Sequence, residues 1–476
     1  MVSNRNHVLQ VSETSFPSLE QSSKTSLPDM ERSSKMSLSE MEQSSNMSLS
    51  KRERSSENVI NINENSSGSL KIIVTSSLGL LPVQGATVRI TYTGDPDAIL
   101  DTLVTDSSGQ TKVVSIPAPS IAYSLAPEQP QPYSELNVTV TAPDYEDTLI
   151  SGIQILPGEL ALQTVRLRPL FLPETPEGTE SFVIPAHTLF GDYPAKLPES
   201  EIKPLPDTGE IVLSRVVIPE YVIVHDGDPA DASAPNYYVR YKDYVKNVAC
   251  NEIYSTWPEA AILANVLAIQ SFTLNRVYTE WYRSKGYNFT ITSSTAYDQK
   301  WVNGRNIFEN VSRIVDNVFA NYVSKPGVRQ PIFTAYCDGK RTTCQGLSQW
   351  GSRYLADEGY SAIEILRYYY GNEAYLNTAS QISGVPSSYP GYDLQNGSSG
   401  EKVRQLQSQL NRISQNYPAI PSLVQDGIYG PKTTNSVRIF QQIFGLPATG
   451  ITDYATWYKI SEIYTGITRI SEPGAY

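Results

Sequence analysis

Histidine and cysteine are scarce, with three of each in 476 residues. His7, His187 and His225 lie far apart, and neither a His-Glu-x-x-His nor a Cys-x-x-Cys pair occurs. A zinc centre would have to gather its ligands from scattered loops, so the common zinc-hydrolase motifs are excluded and no metal or cofactor is expected. Three cysteines are too few for a disulfide framework and leave at least one thiol unpaired. Cys337 and Cys344, seven positions apart, leave a disulfide, a structural metal site and reduced thiols all open. No local signature supports pairing a cysteine nucleophile with His225, which reads as a packed histidine beside the Asp226-Gly227 turn. Positive charge is also in deficit. Lys and Arg total 37 against 49 Asp and Glu, a formal net charge of -12, which argues against a broad hold on nucleic acid or an anionic membrane. No run of 18 or more apolar residues exists, and the stretch from Met1 to Gln10 lacks the apolar core of a secretory signal. Neither a membrane span nor a Sec signal peptide is expected.

What is abundant is tyrosine, 31 against 11 phenylalanines. Rings with one wet edge suit extracellular packing or sugar stacking, and composition does not choose between them. The length allows two to four domains. Residues 1-66 are Ser-rich, with Ser22-Ser23, Ser33-Ser34, Ser44-Ser45 and Ser55-Ser56 recurring every 11 residues. The apolar stripe between them is thin and serine disfavours helix, so this reads as a disordered or weakly helical tail. Residues 67-169 carry alternating runs such as Leu70 to Val74, Ala86 to Tyr92, Leu136 to Thr141 and Leu160 to Leu167, separated by turn signals. About seven short strands predict a β-sandwich. Residues 170-206 are rich in Pro and Glu and read as an exposed linker, where a protease would cut first. Residues 207-385 mix strand and helix, with helices expected over Trp257 to Trp281, Ile307 to Tyr322 and Ser361 to Tyr370. Residues 386-465 form a small helical unit and 466-476 a C-terminal tail. The fold class is therefore multidomain α+β.

One stretch carries chemistry. Tyr244 to Pro258 delivers a single carboxylate, Glu252, among apolar and aromatic neighbours just before a long helix. Burial against such groups disfavours the charged form, so Glu252 reads equally as a general acid or as a structural carboxylate.

Several motifs resemble known families. Pro82 to Val88 followed by Thr105 to Gly109 resembles the transthyretin-like, carboxypeptidase-regulatory-like sandwich, usually a non-catalytic module. The spacing of Val403, Leu406, Gln407, Leu410, Asp426-Gly427-Ile428-Tyr429-Gly430, Thr433, Phe440-Gln441, Gly450-Ile451 and Trp457 resembles the three-helix peptidoglycan-binding domain. The stretch around Glu252, with Ala296 to Gly304, Gly346 to Gly351 and Ile365 to Gly371, resembles the stage II sporulation protein D domain, which includes lytic transglycosylases. The order of the parts, over residues 69 to about 465, resembles the clostridial germination-specific spore cortex-lytic enzymes in zymogen form. That resemblance implies Glu252 as catalytic acid and base, with Tyr297, Gln299, Ser348 and Gln349 lining a groove for peptidoglycan glycan strands. It also implies an activating protease that removes the N-terminal part, a location in the spore cortex or coat, and amidase activity in some members. A non-catalytic wall ligand is the rival expectation.

Overall fold

The computed structural model describes residues 66-78, 80-170, 180-203, 215-384 and 389-468, all within one compact unit, Glu57–Tyr476. The Ser-rich segment, apart from Ser66, lies outside the described residues, as do 204-214 and most of the C-terminal tail.

Seven strands build the expected sandwich: β1 (Ser67–Ser76), β2 (Thr87–Tyr92), β3 (Asp95–Val104), β4 (Val114–Pro117), β5 (Ser134–Thr141), β6 (Thr148–Ile155) and β7 (Leu160–Leu167). Their alternation is that of strands with one face inward. Leu70, Ile72 and Val74 of β1, Val88 and Ile90 of β2 and Leu136, Val138 and Val140 of β5 are all fully buried. β1 pairs parallel with β7 and antiparallel with β4, while the second sheet runs β3-β2-β5-β6 and gains β8 (Glu180–Val183) beside β6.

Strand pairing carries on from the sandwich into the mixed region. Ile307–Phe308, expected at the start of a helix, is instead a short strand paired with Leu162 and Ala161 of β7. The side chain of Asn306 extends this seam, accepting from the Gln154 amide and donating to the Gln154 carbonyl.

Eight helices lie among the described residues. α1 (Tyr241–Glu252) has no counterpart in the sequence expectation; α2 (Glu259–Tyr278) begins after Pro258, whose ring is well suited to a helix start. α2 is buried all round rather than along one stripe, because α1, α4 and α5 and neighbouring strands surround it. It is long and apolar enough to cross a membrane by length and composition, and its most apolar window is 83% buried inside the fold. α3 (Glu309–Val318) is shorter than expected because Asn321–Ser324 leaves it to pair with Tyr375–Thr378. α4 (Gln349–Asp357) is capped by the Ser348 hydroxyl, and α5 (Ala362–Tyr370) opens with a capping box formed by Ser361 and Glu364.

The C-terminal unit comprises α6 (Glu401–Ser414), α7 (Pro431–Ile443) and α8 (Tyr454–Thr468). Two buried glutamines fasten its loops in the same way. Gln407 accepts from the Gly427 amide and donates to the Ile428 carbonyl, and Gln441 does the same with Gly450 and Ile451. Both glycines have positive φ, 76° and 73°, which places the amide under the glutamine and strains any side chain there. α8 is joined to α1 by an ion pair from Glu462 to Lys242 and to Arg240, the residue before α1, by a second.

Candidate functional site

Glu252 is the last residue of α1 and is 5% exposed. Its carboxylate faces a cleft of about 160 Å3. The surroundings differ from the expected apolar cradle. Oε1 accepts from the Lys300 amide at 2.9 Å and faces the Tyr336 hydroxyl at 3.4 Å. Oε2 accepts from the Gln349 side-chain amide at 3.1 Å and faces the Thr188 hydroxyl at 3.5 Å. The carboxylate is thus fixed in direction by donors from four separate parts of the chain.

Of the five residues anticipated at the site, Glu252 and Gln349 meet in the cleft. The other three do not line it. Gln299 is fully buried behind it, accepting from Tyr244 and Thr273 and donating to the Ile269 carbonyl. Ser348 spends its hydroxyl on the Gly351 amide as the cap of α4. Tyr297 is half-buried, and its carbonyl accepts from Arg276. These positions shape the site from behind: Gln299 contacts the Tyr336 hydroxyl, and burial drives the Tyr336 phenol well above its usual range.

The largest departure lies in the stretch expected to be an exposed linker. Residues 184-203 run across the domain and wall the cleft with Thr188, Gly191, Tyr193 and Lys196. The Thr188 amide donates to the Asn251 carbonyl, and the Leu197 amide to the Ala296 carbonyl. Lys196 places its ammonium over the rings of Phe272 and Tyr336 and donates to the Thr295 and Asp298 carbonyls. Burial pulls its pKa down, and Glu252 only partly offsets this. Further along, Glu199 grips Arg276 with two bonds of 2.8 and 2.6 Å. Burial works against the Glu199 charge, but Arg276 and Lys203 outweigh it and hold the carboxyl below its usual range. His187 is buried, stacked on Tyr254 at 4.4 Å, and burial holds its imidazole well below the usual pKa. None of these residues carries a signal in the Pro- and Glu-rich composition.

Cys337 and Cys344 form a disulfide, with 6.1 Å between their Cα atoms, and Cys250 is a buried free thiol that burial pushes up to about 11. His225 is packed as expected, stacked on Phe289 at 4.5 Å and bonded to Asn236.

The putative peptidoglycan binding domain family matches residues 399-460. The C-terminal unit is a peptidoglycan-binding domain. A stretch of 71 residues is 44% identical to the zinc D-Ala-D-Ala carboxypeptidase of Streptomyces albus G, covering 15% of this chain and 26% of that protein. The chain therefore spans about a quarter of the length of this curated relative. Among solved structures, the Bacillus anthracis TIE protein is similar over 22% of this chain and 17% of its own, at 16% identity and a TM-score of 0.16. The minor pilin GBS52 of Streptococcus agalactiae is similar over 24% of this chain and 49% of its own, at 15% identity and a TM-score of 0.17.

Proposed function

We propose that this chain is the precursor of a spore cortex-lytic enzyme that binds peptidoglycan through residues 399-460 and cuts its glycan strands by lytic transglycosylation. The observation that carries the reading is Glu252, a nearly buried carboxyl aimed into a polar cleft of a chain that also holds a peptidoglycan-binding domain. Glu252 gives its proton to the glycosidic oxygen, the bond from that oxygen to the anomeric carbon breaks, and the leaving sugar departs as an alcohol. The carboxylate then takes the proton of the muramic 6-hydroxyl, whose oxygen closes on the anomeric carbon to give a 1,6-anhydro ring. No water is consumed, so one carboxyl suffices where a hydrolase pairs two. Gln349 and Tyr336 fix the carboxyl, and a protease acting on the flanks of residues 180-203 frees the enzyme in the germinating spore. The disulfide supports a site of action outside the reducing cytosol.

The carboxypeptidase relative supports action on peptidoglycan more broadly. Among the described residues, no group of three or more His, Cys, Asp or Glu side chains gathers as a metal site. Mass spectrometry of cortex peptidoglycan digested with processed protein tests the reading. Anhydromuramic ends, lost in Glu252→Gln while wall binding persists, are expected. Free stem peptides would assign an amidase instead, and unaltered sacculi coated with protein would leave a wall ligand.

A further inference from the structure

We infer that residues 184-203 are a strap seated where the glycan must lie, and that Arg341 is the clasp that keeps it there. This rests on Glu252 being the acid of the proposed reaction and concerns how access to that acid is controlled. Arg341 spends its whole guanidinium on this task. Nη1 donates to the Phe190 and Gly191 carbonyls at 3.1 and 2.6 Å, Nη2 to the Thr188 carbonyl at 2.8 Å, and Nε to Asp338 at 3.2 Å. Three main-chain carbonyls in one run are thereby held by a single rigid fork.

The fork is set in advance. Asp338 accepts from the amides of Lys340, Arg341 and Thr342 and from the Thr342 hydroxyl, which winds the loop tightly around its carboxylate. The Cys337–Cys344 disulfide closes the ends of that loop. Gly339, at φ 77°, lies so close to Ser348 that a side chain there would collide with it, which ties the loop to the start of α4 and so to Gln349.

Two features mark the strap as an occupant rather than a wall built for substrate. With the strap in place the cleft measures about 160 Å3, whereas sites for a ligand of drug size run to about 300–1,000 Å3. The strap residues Thr188, Gly191, Tyr193 and Lys196 thus take up space beside Glu252 that a glycan strand would need. The strap is also held against a cost, since Lys196 carries its charge into the cleft and its bonds go to carbonyls rather than to a carboxylate. Glu199 on Arg276 anchors the far end; at the near end the Thr188 amide and hydroxyl bond the Asn251 carbonyl, and Arg341 supplies the side-chain bonds to the Thr188, Phe190 and Gly191 carbonyls.

The test uses the full, uncut chain. In Arg341→Ala, hydrogen exchange of the amides over residues 188-197 should quicken by about 10-fold or more, the loss of charge-assisted bonds expressed as a rate, while α2 amides keep their protection. A soluble N-acetylglucosamine tetramer, used as the probe, should bind the variant about 10-fold more tightly than the uncut wild type. Arg341→Lys, which keeps the charge without the fork, should fall between. Unchanged exchange over 188-197 would overturn the clasp, and faster exchange with no gain in tetramer binding would overturn the strap as occupant of the glycan seat. Both readouts are made also in Glu252→Gln, where no chemistry can contribute. A chain that passes them yet releases no anhydromuramic ends after processing would retain the clasp and lose the transglycosylase.

Discussion

The side-chain amide of Gln349 reaches the Glu252 carboxylate at 3.1 Å and so ties the first residue of α4 to the last residue of α1. A carboxylate at the C-terminal end of its own helix sits against the dipole, and the start of a second helix beside it offsets this. The same two helix ends are fixed independently, α4 by its Ser348 cap and α1 by Arg305, whose guanidinium donates to the Cys250 carbonyl. The direction of the carboxyl therefore results from packing of whole elements rather than from one contact.

Gln349→Leu keeps most of the volume and removes the donor. Under the proposed reaction, turnover by processed enzyme should fall on the order of 10-fold, because the carboxyl loses a contact that aims it at the glycosidic oxygen, with KM nearly unchanged. Steady-state release of anhydromuropeptides measures it. A fall in binding with turnover intact would make Gln349 a glycan contact instead.

How much of this is legible in the sequence differs by element. Strands with one buried face are plain: β7 runs from Leu160 to Leu167 as its alternation indicates. β3 is invisible because its residues are mostly exposed, Ile99 and Val104 included, so no alternation marks it. α1 hides behind polar residues that are nonetheless buried, among them Lys246, Asn247 and Asn251, and the first two find partners elsewhere in the chain. Asn251 bonds back to Asn247 one turn away, and Asn247 holds Val302 from both sides, 55 positions distant, contacts with no local spacing to reveal them. The strap escapes for a related reason. Its proline and glutamate content resembles a linker, yet Glu199 finds Arg276, 77 positions away. Glu252 and Gln349 come from two distant motifs that the family resemblance joins; Ser348, beside Gln349, and Tyr297 and Gln299, from the third motif at Ala296 to Gly304, do not line the cleft.

Asp316 supplies a pH prediction. Its carboxylate meets Lys242 at 3.1 Å and Lys246 at 2.7 Å, and Glu462 of α8 meets the same Lys242 at 2.7 Å. Burial opposes the Asp316 charge, but the lysines outweigh it and hold the pKa at about 2 against an ordinary 3.8. A depressed carboxyl stabilises the fold above its unfolded pKa and ceases to as pH falls through the folded one. Urea unfolding between pH 5 and 2 should therefore lose about 2 kcal/mol from this group. Asp316→Asn should remove that step and cost about 3 kcal/mol at neutral pH, because buried Lys246 loses its carboxylate while Lys242 keeps Glu462.

Glu159 works in the opposite direction. It lies after Gly158 at the turn into β7, and burial pushes its pKa up from 4.5 to about 7, with Arg313 offsetting only part. The folded state favours the proton, so the contribution is full below pH 4.5 and declines as pH rises toward 7. Glu159→Gln should melt at the same temperature as wild type at pH 4 and at a higher one at pH 8. Equal melting at both would show that water reaches the carboxyl freely.

The paired glutamines of the peptidoglycan-binding domain carry the last prediction. Gln441 is fully buried and makes four contacts: the Gly450 amide to its oxygen, and its nitrogen to the Ile451 carbonyl, the Thr449 hydroxyl and the Thr456 hydroxyl. It thereby supplies the loop before α8 with a donor and an acceptor that no strand provides. Gln441→Leu fills the space but strands the Gly450 amide and the Ile451 carbonyl, each at about 1–3 kcal/mol. Gln441→Glu keeps the acceptor for Gly450 and loses only the donor, so it should restore protection of the Gly450 amide but not the Ile451 side of the loop. Hydrogen exchange over residues 445–456 separates the two, and sacculus binding should fall in the order of the damage. Gln407 holds Gly427 and Ile428 by the same pair of bonds, so Gln407→Leu should loosen the 424–430 loop alone. Loss of both loops from either single change would mean that the domain has one cooperative core rather than two separately fastened turns.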